Sequence, residues 1–274
     1  MVKTKSKRFY LDSLFGQLHV RETRPNKEEF KLKRPVICFH QSPLSGTQYK
    51  VFQNELGRDR LVYCPDTPGF GGSDIPDDEV TISQYADSML PLLEKLRIET
   101  TFDSFDILGG HTGSVIALEI ALNKPDLINK IILPSIAFFS EEERKEIKNK
   151  FVNVPAYFSD PQFVSRIYSD TVLNSTTPIS EDRKLELFAE RLRSGLTAWY
   201  APNAVTSYNS LEALKKTTHK VLILLLEDML LDNSLRASKF IENCVIKDLR
   251  HISHTNAWDV DHKEIIQEIK MFLE

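Results

Sequence analysis

The chain is short of several features that mark whole classes of protein. Its three cysteines, Cys38, Cys64 and Cys244, are widely spaced and form no CxxC pair. An odd, scattered set gives neither a disulfide framework nor a cysteine-built zinc site. Buried free thiols in a reducing compartment are expected, and with them a cytoplasmic protein. No run of 18 or more apolar residues is present, so no membrane span is expected. Net charge is only −4, from 35 basic and 39 acidic residues, which gives no reason to expect a nucleic-acid partner. The basic opening, MVKTKSKR, lacks a following apolar stretch and reads as a solvated tail rather than a signal peptide. No internal repeat or low-complexity segment appears, and nothing in the sequence sets an oligomeric state.

What is present is an alternation of two periodicities over 274 residues, 41% of them hydrophobic. RFYL and GQLHVRETR read as a strand pair. RPVICFH, RLVYCPD, FDILGG and NKIILPS are short continuous apolar runs, as strands buried on both faces require. Helical patterns lie between them, at residues 46–57, at 81–97 with a serine or threonine N-cap, and in TGSVIALEIALNK. Strands alternating with helices predict a parallel sheet with helical crossovers. From about residue 136 the pattern changes, and residues 140–218 are helical without a buried-strand signal. Strand character returns at HKVLILLLED, followed by a helix near SLRASKFIE, a strand at NCVIKDL and a terminal amphipathic helix, VDHKEIIQEIKMFLE. The expectation is an α/β core from residues 1–135 and 219–274, with a helical lid, 136–218, inserted after the sixth strand. Such a lid belongs over the C-terminal ends of the strands, where open α/β sheets bind ligands.

Five segments carry candidate chemistry. GGHTG, Gly109 to Gly113, sets His111 between flanking glycines where a buried strand turns into a helix. Small neighbours permit a sharp turn, and the free N–H groups of the helix start point at the same place. CFHQSPLSG, Cys38 to Gly46, also leaves a buried strand, with Ser42 as the best placed backbone donor. DTPGFGGSD, Asp66 to Asp74, lacks the G-x-x-x-x-G-K spacing of a phosphate cradle and reads as a structural loop. LLLEDMLLD offers Glu227, Asp228 and Asp232 as carboxylates that could orient a histidine. RHISHTNAWD holds His251 and His254 on the loop expected between the last strand and the last helix. A metal site built from His111, His254 and Asp228 is conceivable, but no HExxH or similar local spacing supports it, and no metal or other cofactor is expected.

Taken in order, these segments resemble the α/β-hydrolase superfamily over most of the chain outside the lid. ICFHQSPLSG is similar to the family's oxyanion loop, with Gln41 where glycine usually follows the histidine. DTPGFGGSD is similar to its D-x-P-G-x-G-x-S loop. LGGHTGSVIALEIAL resembles its nucleophile elbow, G-x-Ser-x-G, with His111 in the place of the serine. HQSP together with GGHTG resembles a subgroup with histidine at that position. A register shifted to Thr112 would replace the second glycine with Ser114. In the family register Met229 falls where the acid is usual, which leaves Asp228, one residue earlier, as the substitute. His254 falls where the family keeps its catalytic histidine. The resemblance implies an α/β-hydrolase sheet with a helical cap.

Three chemistries follow. Neutral imidazole is a nucleophile that needs no deprotonation, so His111 could attack an acyl carbon whose oxyanion is held by the N–H groups of Ser42 and Thr112. His254 would then activate water, with Asp228 fixing its tautomer. Alternatively, His111 and His254 act as acid and base in a cofactor-free lyase or isomerase, or the chain is a non-catalytic small-molecule-binding homologue. The lid carries Phe138, Phe139, Phe151, Tyr157, Phe158, Phe163, Trp199 and Tyr200. A small hydrophobic ester-like substrate is expected, in a pocket lined by His40, Gln41 and Trp199. Epoxide and halide chemistry in the superfamily uses a carboxylate nucleophile, and His111 argues against both.

Overall fold

Alternate residues of the apolar strands point to opposite faces of one sheet, and each face acquires its own core. The computed structural model describes residues 2–26, 33–151 and 160–274. Eight strands run β1 (Thr4–Ser13), β2 (Gly16–Pro25), β3 (Lys33–Phe39), β4 (Arg60–Pro65), β5 (Phe105–Gly109), β6 (Ile128–Pro134), β7 (Lys220–Glu227) and β8 (Cys244–Ser253). Their order in the sheet is β1-β2-β4-β3-β5-β6-β7-β8. β1 and β2 are antiparallel to each other, and β2 is antiparallel to β4; every other pairing is parallel.

The helices are α1 (Lys50–Leu56), α2 (Ile82–Glu99), α3 (Thr112–Asn123), α4 (Glu141–Phe151), α5 (Pro161–Tyr168), α6 (Glu181–Arg193), α7 (Tyr200–Ser207), α8 (Ser210–Lys216), α9 (Leu231–Ser238) and α10 (His262–Leu273). On β3, Ile37 and Phe39 face a core shared with α2 and α3, whereas Val36 and Cys38 face one shared with α1, α10 and Trp258. This is the period-2 alternation of a strand covered on both faces. α2 starts where the sequence predicts, at a reciprocal capping box between Thr81 and Gln84. Between β6 and β7 the described residues form helices α4 to α8 in succession, joined by irregular segments. Among the described residues no helix is long and apolar enough to cross a membrane. All three cysteines are free, and Cys38 and Cys64 are buried.

Two expectations change. The basic opening is not a tail from Thr4 onward, because residues 4–8 begin β1 and pair with β2 along the sheet edge. His251 lies within β8 rather than on the loop after it, and its exposed ring meets Glu264 at 3.0 Å. The side chain of Phe151, and Tyr157 and Phe158 entirely, lie outside the described residues.

The loop from Asp66 to Asp74 is built around one buried carboxylate. Asp66 accepts hydrogen bonds from the Gly46 N–H at 2.8 Å, the Gly72 N–H at 2.8 Å and His19 Nδ1 at 2.7 Å. Gly71 has φ +57°, and a Cβ there would lie 2.1 Å from Asp66 Oδ2, so glycine is required twice over. Burial acts to raise the pKa of Asp66. The His19 hydrogen bond, the imidazoles of His40 and His19 and the Gly72 N–H outweigh it, and the carboxyl titrates below its ordinary value. Replacing Asp66 by alanine strands two buried donors, the Gly46 N–H and His19 Nδ1, at about 1–3 kcal/mol each, and leaves the part-buried Gly72 N–H to water, so urea unfolding at neutral pH should show a loss of at least about 2 kcal/mol. Because the folded pKa is depressed, wild type should lose this contribution as pH falls below about 3.9. The Asp66→Ala variant should lack that part of the acid limb; equal stability of the two proteins at neutral pH would contradict the assignment.

Candidate active site

The turn between β5 and α3 is shaped by backbone that leaves no room for side chains. A Cβ on Gly109 would lie 2.1 Å from the Gly113 carbonyl oxygen, and one on Gly113 would lie 2.1 Å from the carbonyl oxygen of Phe39, at the end of β3. The two glycines therefore let the first turn of α3 press against β5 and β3 together. Between them His111 stands at the tip with φ 51° and ψ −121°. This is a costly conformation for a residue with a Cβ, by roughly 1–3 kcal/mol, and it persists only where the surroundings hold it. They do so at both of its peptide groups. Its N–H donates to the Ser135 carbonyl at 2.8 Å, and its carbonyl accepts the Ser114 N–H at 3.0 Å and the Ser114 hydroxyl at 2.6 Å.

Three side chains from three strand ends meet here. Asp228 follows β7, His254 follows β8, and His111 follows β5. His111 Nε2 lies 2.8 Å from Asp228 Oδ2, whereas His254 Nε2 lies 3.9 Å from the same oxygen. The first is a hydrogen bond and the second is too long for one. The carboxylate expected to orient His254 instead holds His111. The two imidazole rings stand edge to face with centroids 4.6 Å apart.

The competing residues separate cleanly. The Asp228 side chain is 5% exposed, whereas Met229 is 85% exposed, and Glu227 and Asp232 are exposed. Burial works to raise the Asp228 pKa, but the hydrogen bond and charge of His111, with a further contribution from His254, hold it well below the carboxylate range. Asp228 Oδ1 accepts the Leu230 N–H at 3.2 Å, which fixes the carboxylate plane. An ionised carboxylate only accepts, so in this bond His111 Nε2 carries the hydrogen. In the neutral ring the lone pair then sits on Nδ1.

His254 is held from behind. Its N–H donates to the Glu227 carbonyl at 3.0 Å, and its ring meets Trp258 edge-on at 6.2 Å. Its Nε2 is buried and has no hydrogen-bond partner among the described residues. Burial and the neighbouring His111 push its pKa down to about 4, against the opposing pull of Asp228, so the ring is uncharged at neutral pH.

Thr112 is the first residue of α3, so its N–H has no acceptor within the helix. Ser42 lies on the turn leaving β3, which abuts that first helical turn through Phe39, and its hydroxyl is buried without a partner among the described residues. Gln41 donates its N–H to Gln48 Oε1 at 3.1 Å, and its own side-chain oxygen is buried and unpaired among the described residues. His40 is a strut: Nδ1 lies 2.9 Å from the Gln41 carbonyl, and Nε2 accepts the Thr67 N–H at 2.9 Å. Fully buried with both nitrogens occupied, it braces the loops instead of lining a pocket. Trp199 is half-buried, and its described ring contact is with Tyr200, at 5.1 Å. Phe138 and Phe139 pack against the core.

Two contributors carry no sequence signal. Ser135, with φ 65°, supplies the carbonyl that holds His111. Arg183 reads as one more surface cation of α6, yet it is buried. It donates to Asp259 at 3.0 and 3.2 Å and to the Thr47 and Gln48 carbonyls at 2.9 and 3.2 Å. It thereby ties α6 both to the loop that carries His254 and to the segment after β3.

The model of the α/β-hydrolase fold family matches residues 34–271. The chain belongs to that family. A 2-hydroxymuconate semialdehyde hydrolase of Pseudomonas sp. is 29% identical over 103 residues, covering 36% of this chain and 35% of the relative. The matched stretch thus spans about a third of that curated relative. Solved structures align nearly throughout. An esterase from Exiguobacterium antarcticum gives a TM-score of 0.78 at 14% identity, covering 97% of this chain and 99% of the other. A thermophilic esterase from Thermogutta terrifontis gives 0.73 at 17% identity, covering 97% and 98%.

The His111–Asp228 bond predicts a tautomer. Nitrogen-15 NMR of the imidazoles at neutral pH should find the hydrogen of His111 on Nε2, and Asp228→Ala should redistribute it between the two nitrogens. A wild-type spectrum with Nε2 unprotonated would contradict the geometry.

Proposed function

We propose that the protein is a hydrolase of small, hydrophobic ester-like acyl compounds, with His111 as an unusual elbow nucleophile. The observation that carries the reading is the 2.8 Å bond between His111 Nε2 and Asp228. In the neutral ring it leaves the Nδ1 lone pair for attack on the acyl carbon. The N–H groups of Ser42 and Thr112 receive the developing oxyanion. The positive charge that grows on the ring is balanced by Asp228, which stays ionised. The leaving group departs as its anion, so activated esters react best. His254, neutral and adjacent, then takes a proton from the water that opens the acyl-imidazole and releases it to solvent. The products are the acid, the alcohol and the unchanged histidines.

In this reading residues 136–218 form the cap over the site, and Trp199 and Gln41 contact the substrate. Two features weigh against an idle site: a strained His111 and a buried ionised carboxylate aimed at it. The contact between the two imidazole rings also favours a second reading, a cofactor-free lyase or isomerase in which His111 and His254 act as acid and base. The unpaired cysteines favour the cytoplasm as its place of action, on small molecules rather than on nucleic acid or membrane.

The test is hydrolysis of activated aryl esters of increasing acyl length. Wild type should exceed background. His254→Ala should lose about 100-fold or more. His111→Ala should fall to background. Equal rates for all three proteins would set the acyl-transfer reading aside in favour of the lyase and non-catalytic binding readings.

A further inference from the structure

We propose that His111, Asp228 and His254 form a three-ligand site for a divalent first-row transition-metal ion. The proposal does not rest on the acyl-transfer reading and describes an alternative state of the same residues: with Nε2 on an ion, the His111 hydrogen sits on Nδ1 and the lone pair used for acyl attack is gone. One ligand atom from each residue lies within 4.8 Å of the other two. Two imidazoles and one carboxylate are a donor set that suits zinc and its neighbours in the first row. No two of these ligands come from one local segment, since they follow β5, β7 and β8. That is why no ligand spacing appears in the sequence.

One observation beyond the cluster itself points to a ligand. His254 Nε2 is buried with no partner among the described residues, although a buried polar nitrogen is normally paired. It also stands 3.9 Å from Asp228 Oδ2, which is 2.8 Å from His111 Nε2. Metal–ligand bonds of about 2.0–2.2 Å at tetrahedral angles set neighbouring donor atoms roughly 3.4 Å apart. The 2.8 Å separation must open and the 3.9 Å separation close, each by less than about 1 Å, while the third, between the two imidazole nitrogens, is bounded at 4.8 Å and closes by up to about 1.4 Å. The supports of these side chains are already in place. The Leu230 N–H holds Asp228 Oδ1, leaving Oδ2 for the ion. The Glu227 carbonyl and Trp258 fix the His254 loop and ring. His111 ligates once its hydrogen moves from Nε2 to Nδ1, with no change of charge. Its side chain is 20% exposed, which gives an ion a way in. Three protein ligands leave a coordination position open to water.

The test is a titration of the chelator-stripped full chain with Co2+ alone, read by visible d–d absorption, and with Zn2+ alone, read by equilibrium dialysis and thermal unfolding. Wild type should bind one ion, with absorption bands of a low-coordinate site and a raised Tm. His111→Ala and His254→Ala should each weaken binding by more than the roughly 100-fold that loss of a supporting partner costs. His251→Ala, which alters an exposed histidine outside the site, should bind as wild type. Circular dichroism of each variant separates loss of a ligand from loss of fold; if either fails to fold, Asp228→Asn takes its place in the comparison. No saturable binding to wild type would overturn the proposal. So would binding that persists in both variants or disappears in His251→Ala. Ester hydrolysis measured with chelator present reports the acyl-transfer reading separately, so either can fail alone.

Discussion

The close approach of α3 to the ends of β5 and β3 governs everything at this site. Side-chain-free backbone at Gly109 and Gly113 lets three peptide segments meet at distances that a Cβ would forbid. The chain between the glycines must then turn sharply. Whatever residue occupies position 111 is driven to φ 51° and projects from the tip. The strain is local, and its restraint is not. It depends on Ser135 from the end of β6 and Ser114 from the helix, so the turn is secured only when neighbouring parts of the sheet are assembled.

Electrostatics then select the partners. A carboxylate this well buried is tolerable only with strong hydrogen bonds, and Asp228 finds its best one in His111 rather than in His254. The outcome is an ionised acid paired with the tip histidine, beside a second histidine kept neutral by burial. The histidine that is oriented by the acid is itself the projecting group. Arg183 and Asp66 act at one remove, the first by tying α6 to two of the loops, the second by closing the loop after β4.

Much of this architecture was legible in residue patterns, because buried parallel strands need continuous apolar runs and their crossovers need amphipathic helices. RPVICFH and FDILGG became β3 and β5, and the absence of strand signals from 140 to 218 corresponds to helices α4–α8 among the described residues. Gly109 and Gly113 flagged the turn for a steric reason that the distances bear out. The pairing of Asp228 was not legible, since Glu227, Asp228 and Asp232 differ only in the direction that the end of β7 gives them. His40 looked like a pocket residue because it ends an apolar strand, and only the folded loop reveals that Thr67 and Gln41 use both of its nitrogens. Arg183 and Ser135 were hidden for the same reason: their partners lie far away along the chain.

In the proposed chemistry the histidine at the tip of the turn carries the acyl group. Mass spectrometry of His254→Ala, acid-quenched within milliseconds of mixing with an activated aryl ester, tests it directly. In that variant the acyl-imidazole should form and wait for water. A stoichiometric mass increase of one acyl group is expected, confined to the peptide that contains His111 and absent when His111 is also replaced. An adduct on another residue, or turnover by the wild type with no adduct formed in the variant, would contradict it.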